Sequence, residues 1–251
     1  MIENLSQKKI YFFSDFHLGV PSYKESLERE KKICRWLDEI RPTASELFIL
    51  GDVFDFWFEY KQVVPKGYVR LLGKLAEFTD NGIPVTIFTG NHDMWMFDYL
   101  PQEIGVKLLR EPKKYDFNGR KFLIGHGDGL GPGDHGYKFI KKVFANKFCQ
   151  WLFARLHPNF GISMANFWSR KSRQHTGHHD AVYLGDDKEF LVQYIKETEK
   201  THHYDFYIFG HRHLPIDKQI ENSRYINLGD WIVYFTYAVW DGEKLELKKI
   251  T

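Results

Sequence analysis

The sequence predicts an α/β fold, and three patterns carry that reading. Short apolar runs stop repeatedly at a glycine-containing turn, amphipathic stretches fill several gaps between them, and an Asn-Gly pair separates two strand-like segments. KKIYFFS is the first expected strand, followed by a helix over Tyr23 to Ile40, where apolar residues recur at helical spacing. ELFILG, a helix over Lys66 to Asn81, and PVTIFTG continue the alternation. YDF and RKFLI then flank Asn118-Gly119, the pair a tight hairpin prefers, so antiparallel pairing joins the parallel part. RKFLI runs on as the strand KFLIG, and YDFYIFG is a further strand, with a helix over Asp187 to Lys200 between them. After Gly210, INLGDW, FTYAVWDG and KLELKKI read as a terminal β-meander with Asp241-Gly242 as a turn. No repeat or linker interrupts the 251 residues, so residues 1–251 are expected to form a single domain.

Bulk properties narrow the function classes. At 43% hydrophobic and 27% charged the chain can bury a sizeable core and is not disordered. A formal net charge of +2 is too small for wholesale nucleic-acid binding, so no nucleic-acid partner is expected, nor is an obligate protein partner. The two cysteines, Cys34 and Cys149, lie far apart in amphipathic stretches and read as buried free thiols of a reducing cytoplasm. The N-terminus lacks a signal-peptide pattern, and no apolar run approaches the ~20 residues of a spanning helix.

One segment breaks the α/β rhythm. From His135 to His179 there is no Asp or Glu, yet there are eight Lys/Arg and nine aromatic residues. Ile140, Phe144, Phe148, Trp151 and Leu152 recur at helical spacing, with Lys138, Lys141, Lys142 and Arg155 on other faces; GISMANFWSRKSR reads as a second helix. A helical cap inserted at about 133–180 is expected. Cations interleaved with aromatics suit an anionic, greasy ligand at an anionic membrane surface. The plainer alternative is a hairpin whose aromatics pack on the body and whose lysines are solvated.

Chemistry gathers at the strand ends. SDFHLG, GDVFDFW, GNHDMW, GHGDG and GHRH each follow an apolar run, and in open α/β sheets such strand ends share one crevice. Asp15, His17, Asp52, Asn91, His126, His211 and His213 would converge there. If the chain stays extended, Asp15/His17 and His211/His213, each two residues apart, project to the same side. The preceding glycines let the backbone turn sharply and approach closely. Seven ligands mixing carboxylate, amide oxygen and imidazole exceed one tetrahedral zinc, so two ions are expected. That donor set suits Mn²⁺, Fe or Zn²⁺, and a carboxylate such as Asp52 can bridge two ions ~3.5–4 Å apart. GHGDGLGPGDHG is not a P-loop, since no Gly-Lys-Ser/Thr follows. His178-His179 and His202-His203 have no such context and read as surface histidines.

These five blocks resemble the signature motifs of calcineurin-like metallophosphoesterases and span nearly the whole chain. GDVFDFW, GHGDGLGPGDHGY running into a basic helical cap, and LGDW are further similar to the bacterial UDP-2,3-diacylglucosamine pyrophosphatases of lipid A synthesis. The resemblance implies a four-layer α/β/β/α sandwich with two mixed sheets and two divalent ions, Mn²⁺ first. It puts Asp15, His17, Asp52 and His213 on one ion and Asp52, Asn91, His126 and His211 on the other. A hydroxide bridging them would attack phosphorus, with Asn91 and His92 binding the phosphoryl group, His92 acting as general acid or phosphate stabiliser as in the wider superfamily, and Asp93 orienting it. Asp134, Tyr137, Arg170, Ser172, Arg173 and His211 would contact substrate. The implied reaction splits a nucleotide-linked glycolipid into UMP and 2,3-diacylglucosamine 1-phosphate at the inner face of the bacterial inner membrane.

At one position the chain departs from that narrower pattern. His92 stands where its best-known members have arginine, which removes a planar bidentate phosphate clamp. Arg170, Arg173 or Arg212 could take over that contact. The histidine form favours an alternative, a nucleotidase or phosphodiesterase acting on a soluble substrate.

Overall fold

The computed structural model describes residues 8–176 and 182–250; the side chains of residues 170–176 lie outside the described residues, as do His178 and His179. Strands β1 (Lys9–Phe13), β2 (Ala44–Leu50), β3 (Val85–Phe88) and β4 (Lys107–Leu109) run parallel. Antiparallel β10 (Thr236–Trp240) and β11 (Leu245–Lys249) complete a sheet of order β11-β10-β1-β2-β3-β4. The second sheet uses β5 (Lys113–Phe117), β6 (Arg120–Ile124), β7 (Phe206–Phe209), β8 (Pro215–Ile220) and β9 (Ser223–Leu228) in the order β5-β6-β7-β9-β8. In it β6, β7 and β9 are parallel.

Strand periodicity explains the layering. Tyr11 and Phe13 of β1, with Leu47 and Ile49 of β2, enter one core; Phe12, Phe48 and Leu50 enter another with Phe122, Ile124, Ile208, Ile226 and Leu228 of the second sheet. Alternate residues thus serve opposite faces, and both faces are buried, which is why these strands read as continuous apolar runs. Helices α1 (Tyr23–Ile40), α2 (Val69–Asp80) and α3 (Tyr99–Ile104) cover the first sheet, and α7 (Phe190–Glu199) covers the second. The result is an α/β/β/α sandwich.

Helix α1 begins where Ser22 accepts the Glu25 N–H and buries Arg29, Glu30, Ile33, Trp36, Leu37 and Ile40. Two of these are charged because they serve other segments. Glu30 accepts from the amides of Arg70 and Leu71 at 2.9 and 3.1 Å, capping the start of α2. Arg29 donates to the carbonyls of Phe16, His17 and Val20, holding the loop after β1.

Several expectations need correction. The C-terminal strands are not one meander: β9 lies in the second sheet, and the chain crosses to the first before β10. Ile226 and Leu228 share the inter-sheet core with Ala238 and Trp240, so apolarity alone does not reveal which sheet a strand joins. The first cap helix breaks in two, α4 (His135–Ala145) and α5 (Lys147–Phe153), followed by α6 (Pro158–Thr176). Asn146 causes the break, since its side chain accepts the Phe148 and Cys149 amides and starts a new helix. Both cysteines are free thiols, but they are half-buried rather than buried. Burial pushes the Cys34 thiol up to about 11.

Candidate metal centre

The parallel strands β1, β2, β3, β6, β7 and β9 end together, and the loops beyond them carry the polar blocks. Asp15 and His17 follow β1, Asp52 follows β2, Asn91 follows β3, His126 follows β6, and His211 and His213 follow β7. Asp15, His17, Asp52, His211 and His213 all have φ between 43° and 69°. The extended-chain reason for pairing i with i+2 is therefore wrong. Both members of each pair are left-handed and the residue between them is not, a costly conformation that surrounding bonds enforce. Those bonds run between the loops: Asp15 N–H donates to the Gly51 carbonyl and His17 N–H to the Asp52 carbonyl.

Two clusters share Asp52. Asp15, His17, Asp52 and His213 form one, and Asp52, His126 and His211 the other, with ligand atoms of each within 4.8 Å of one another. His17, Asp55 and His92 form a third group. Asp52 Oδ2 lies 3.6 Å from His17 Nε2 and 3.4 Å from His126 Nε2. Asn91 joins the second cluster, its Oδ1 3.2 Å from His126 Nε2.

The imidazoles are oriented from behind. His126 Nδ1 is 2.6 Å from the Leu50 carbonyl, which can only accept, so Nδ1 carries the proton and Nε2 turns a lone pair toward Asp52 and Asn91. His17 Nδ1 lies 3.4 Å from Asp55 Oδ1, though without a hydrogen bond, and His213 Nδ1 lies 3.4 Å from Asp230 Oδ2, so in both rings Nε2 is the inward nitrogen. His17 Nε2 and His213 Nε2 then stand 3.1 Å apart. Beside them Asp15 Oδ1 is buried without a hydrogen-bond partner, 3.7 and 3.4 Å from those nitrogens. Converging lone pairs and an orphaned carboxylate oxygen are the donor environment of a divalent cation, so the residues present fit one.

The negative field that would draw a cation also draws a proton, so at neutral pH His126 Nε2 offers its lone pair only to an ion that displaces that proton. Burial disfavours charge on His126, but Asp52 outweighs it and pushes the imidazole up to about 10. Asp52, despite burial, is held well below the carboxylate range by His126 and His92. Burial pulls His92 down to about 4. Asp93 is pushed up to about 7, first by burial and then by Asp52.

Asp93 does not touch the His92 ring. Its carboxylate accepts from the amides of Gly90, Val53 and Phe54, pinning the loops after β2 and β3 together. His92 Nδ1 instead lies 3.0 Å from the Asp55 carbonyl and 3.2 Å from Ser169 Oγ, neighbours that sequence reasoning missed although Asp55 lies within GDVFDFW. Arg212 is no phosphate clamp either: it is buried, and its guanidinium grips Glu189. Tyr137 places its ring 6.5 Å from that of His211 and donates its hydroxyl to Asp128, which also pairs with Lys141 at 2.8 Å. Exposed Asp134 accepts the Tyr137 N–H at the start of α4. Arg170, Ser172 and Arg173 fall on α6, their side chains outside the described residues. His202 and His203 are exposed.

The cap is bolted to the body at the α4–α5 elbow. Trp95 Nε1 donates to the Phe144 carbonyl at 2.8 Å, and Phe153 packs on Phe58 and Trp95. Beyond these anchors its apolar residues stay outside: Phe139, Phe148, Trp151, Phe160, Phe167 and Trp168 are each more than half exposed. No helix among the described residues is long and apolar enough to cross a membrane.

Fold and site together define a metal-dependent hydrolase built on two facing sheets. The chain belongs to the calcineurin-like phosphoesterase family, whose model matches residues 8–215. It is 38% identical to a UDP-2,3-diacylglucosamine hydrolase of Porphyromonas gingivalis over 97% of this chain and 98% of that protein. A Haemophilus ducreyi protein of the same name is 29% identical over 88% and 91%. A solved archaeal phosphodiesterase covers 96% of this chain and 98% of its own, at 14% identity and a TM-score of 0.46.

Proposed function

We propose that the protein hydrolyses the pyrophosphate bond of UDP-2,3-diacylglucosamine, giving UMP and 2,3-diacylglucosamine 1-phosphate. The observation that carries the reaction type is Asp52, common to two ligand clusters. Asp15, His17, Asp52 and His213 would hold one divalent ion and Asp52, Asn91, His126 and His211 the other, manganese being the first choice and zinc or iron the alternatives. Such ions supply Lewis-acid charge and lower the pKa of a coordinated water. Asn91 and His92 meet the phosphoryl oxygens. Asp134, Tyr137, Arg170, Ser172, Arg173 and His211 lie on segments that would receive the rest of the head group.

Support for the lipid substrate comes from the relatives' names and from the cap. Residues 133–180 read as an insertion in a single domain, and their exposed aromatics among lysines suit acyl chains and an anionic bilayer, at about 1 kcal/mol per surface-proximal cation. This reading places the protein on the cytoplasmic face of an inner membrane. The test supplies the purified protein and Mn²⁺ with UDP-2,3-diacylglucosamine, an unacylated UDP-sugar and a generic phosphodiester, and follows UMP release. Preference for the acylated substrate supports the proposal. Equal or better turnover of the others would favour the second reading, a soluble-substrate nucleotidase or phosphodiesterase, which His92 in GNHD recommends.

A further inference from the structure

Ser169, on cap helix α6, reaches the catalytic loops. Its hydroxyl donates to Asp55 Oδ2 at 2.9 Å, across 114 residues of sequence. The same oxygen lies 3.2 Å from His92 Nδ1, and that nitrogen lies 3.0 Å from the Asp55 carbonyl oxygen. A carbonyl cannot donate, so the proton between His92 and Asp55 sits on Nδ1. Ser169 gives its own proton to the Asp55 carboxylate, so its lone pairs are what face Nδ1–H. The His92 N–H is thereby shared between Asp55 and Ser169, and the ring has one supported orientation and one supported tautomer.

The opposite edge of the ring behaves differently. His92 Nε2 makes no hydrogen bond among the described residues, and the side chain keeps 14% of its surface open. The backbone N–H of His92 donates to Asp52 Oδ1 at 2.9 Å, and the ring packs edge-on against His17 with centroids 4.8 Å apart. The imidazole is thus fixed beside the shared carboxylate with only Nε2 left to meet a ligand.

We propose that Ser169 is a positioning residue for His92, so that the cap helps set the geometry of the catalytic loops. The proposal rests on the phosphoesterase reading of the site and deepens it. With the Nδ1 proton committed to Asp55 and Ser169, any proton exchanged with a substrate oxygen passes through Nε2, on a ring whose orientation a cap residue supports. The elbow anchors the cap, because Phe144 and Phe153 pack on Trp95 of the body while α6 returns over the loops. A cap shifted by its occupant would shift Ser169 with it, which couples substrate seating to His92.

The test has two readouts. Long-range ¹H–¹⁵N correlation of the histidine rings, with His92 assigned by signal loss in His92→Gln, should show an Nδ1–H tautomer in the wild type, kept in Ser169→Ala by the Asp55 carbonyl but with the His92 ring resonances shifted or broadened by loss of the second partner. With Mn²⁺, Ser169→Ala should lower kcat about tenfold with KM within about twofold, and Ser169→Thr, which keeps the hydroxyl, should recover to within about threefold. An Nε2–H tautomer in the wild type would overturn the proposal without any variant, as would wild-type kcat in Ser169→Ala. Failure of the wild type to hydrolyse UDP-2,3-diacylglucosamine, with the ring pattern as expected, would instead count against the proposed substrate.

Discussion

Arg212 donates to Glu189 through both Nε and Nη2, each at 2.9 Å, and both side chains are buried. The pair fixes the turn that aims His211 and His213 into different clusters, because Arg212 between them is tied to the residue preceding α7. Burial alone would raise the Glu189 pKa, but the Arg212 hydrogen bonds and the Leu184 amide hold it below the usual glutamate value. A carboxyl with a depressed folded pKa stabilises the fold above its unfolded value of about 4.3, and that stability drains away as pH falls through the folded value. Glu189→Gln should therefore cost about 3 kcal/mol at pH 7, with the gap from wild type closing below about pH 4. Thermal unfolding of both proteins across that range measures it; a gap independent of pH would refute the ionic account.

The shared carboxylate gives the next expectation. Asp52→Asn keeps the volume and one oxygen but removes the charge that both clusters use, so kcat should fall at least about 10²-fold. Metal analysis after reconstitution should drop from about two ions per chain to one or fewer. Two retained ions would show that Asp52 does not bridge.

How much of this could be read from the sequence follows from where the information lies. Strands buried on both faces, such as KIYFF and FYIF, announce themselves as apolar runs, and the ligands stand out because each follows such a run directly. Short β4, three residues with an exposed Lys107, carries no period to detect, and edge strand β8 opens on Pro215 and alternates irregularly. Asp55, Asp230 and Ser169 were invisible as partners because they act across segments far apart in sequence. No spacing rule links Ser169 to Asp55; only the folded cap does.

Exposed cap residues should separate substrate from stability. Phe148 and Trp151 stack at 5.9 Å, 64% and 51% exposed, with the Arg155 guanidinium 4.6 Å from the Trp151 ring. Trp151→Ala removes little packing, so stability should change by less than about 0.5 kcal/mol. If the stack meets acyl chains or bilayer, KM for UDP-2,3-diacylglucosamine in mixed micelles should rise by on the order of tenfold, while an unacylated UDP-sugar is unaffected. Equal effects on both substrates would place the stack elsewhere in the mechanism.

The glycines before the ligand blocks make a sharper demand than turning. Neither Gly90 nor Gly210 has a positive φ, so alanine would be tolerated by the backbone at either position. What forbids it is space. A Cβ on Gly210 would sit 2.6 Å from both Asp15 Oδ2 and Ser14 Oγ, and one on Gly90 would meet the Asp52 carboxylate, 2.7 Å from its Cγ. Each glycine after one strand is thus the floor beneath a ligand from another. Gly210→Ala should cost about 1–3 kcal/mol through overpacking, leave far-ultraviolet circular dichroism unchanged, and displace Asp15. Because Asp15 belongs to only one cluster, metal content should fall toward one ion per chain, whereas Gly90→Ala, acting on the shared Asp52, should empty both. Titration of each variant with Mn²⁺ by calorimetry distinguishes the two; matching two-site binding in both would mean the loops relax around the added methyl.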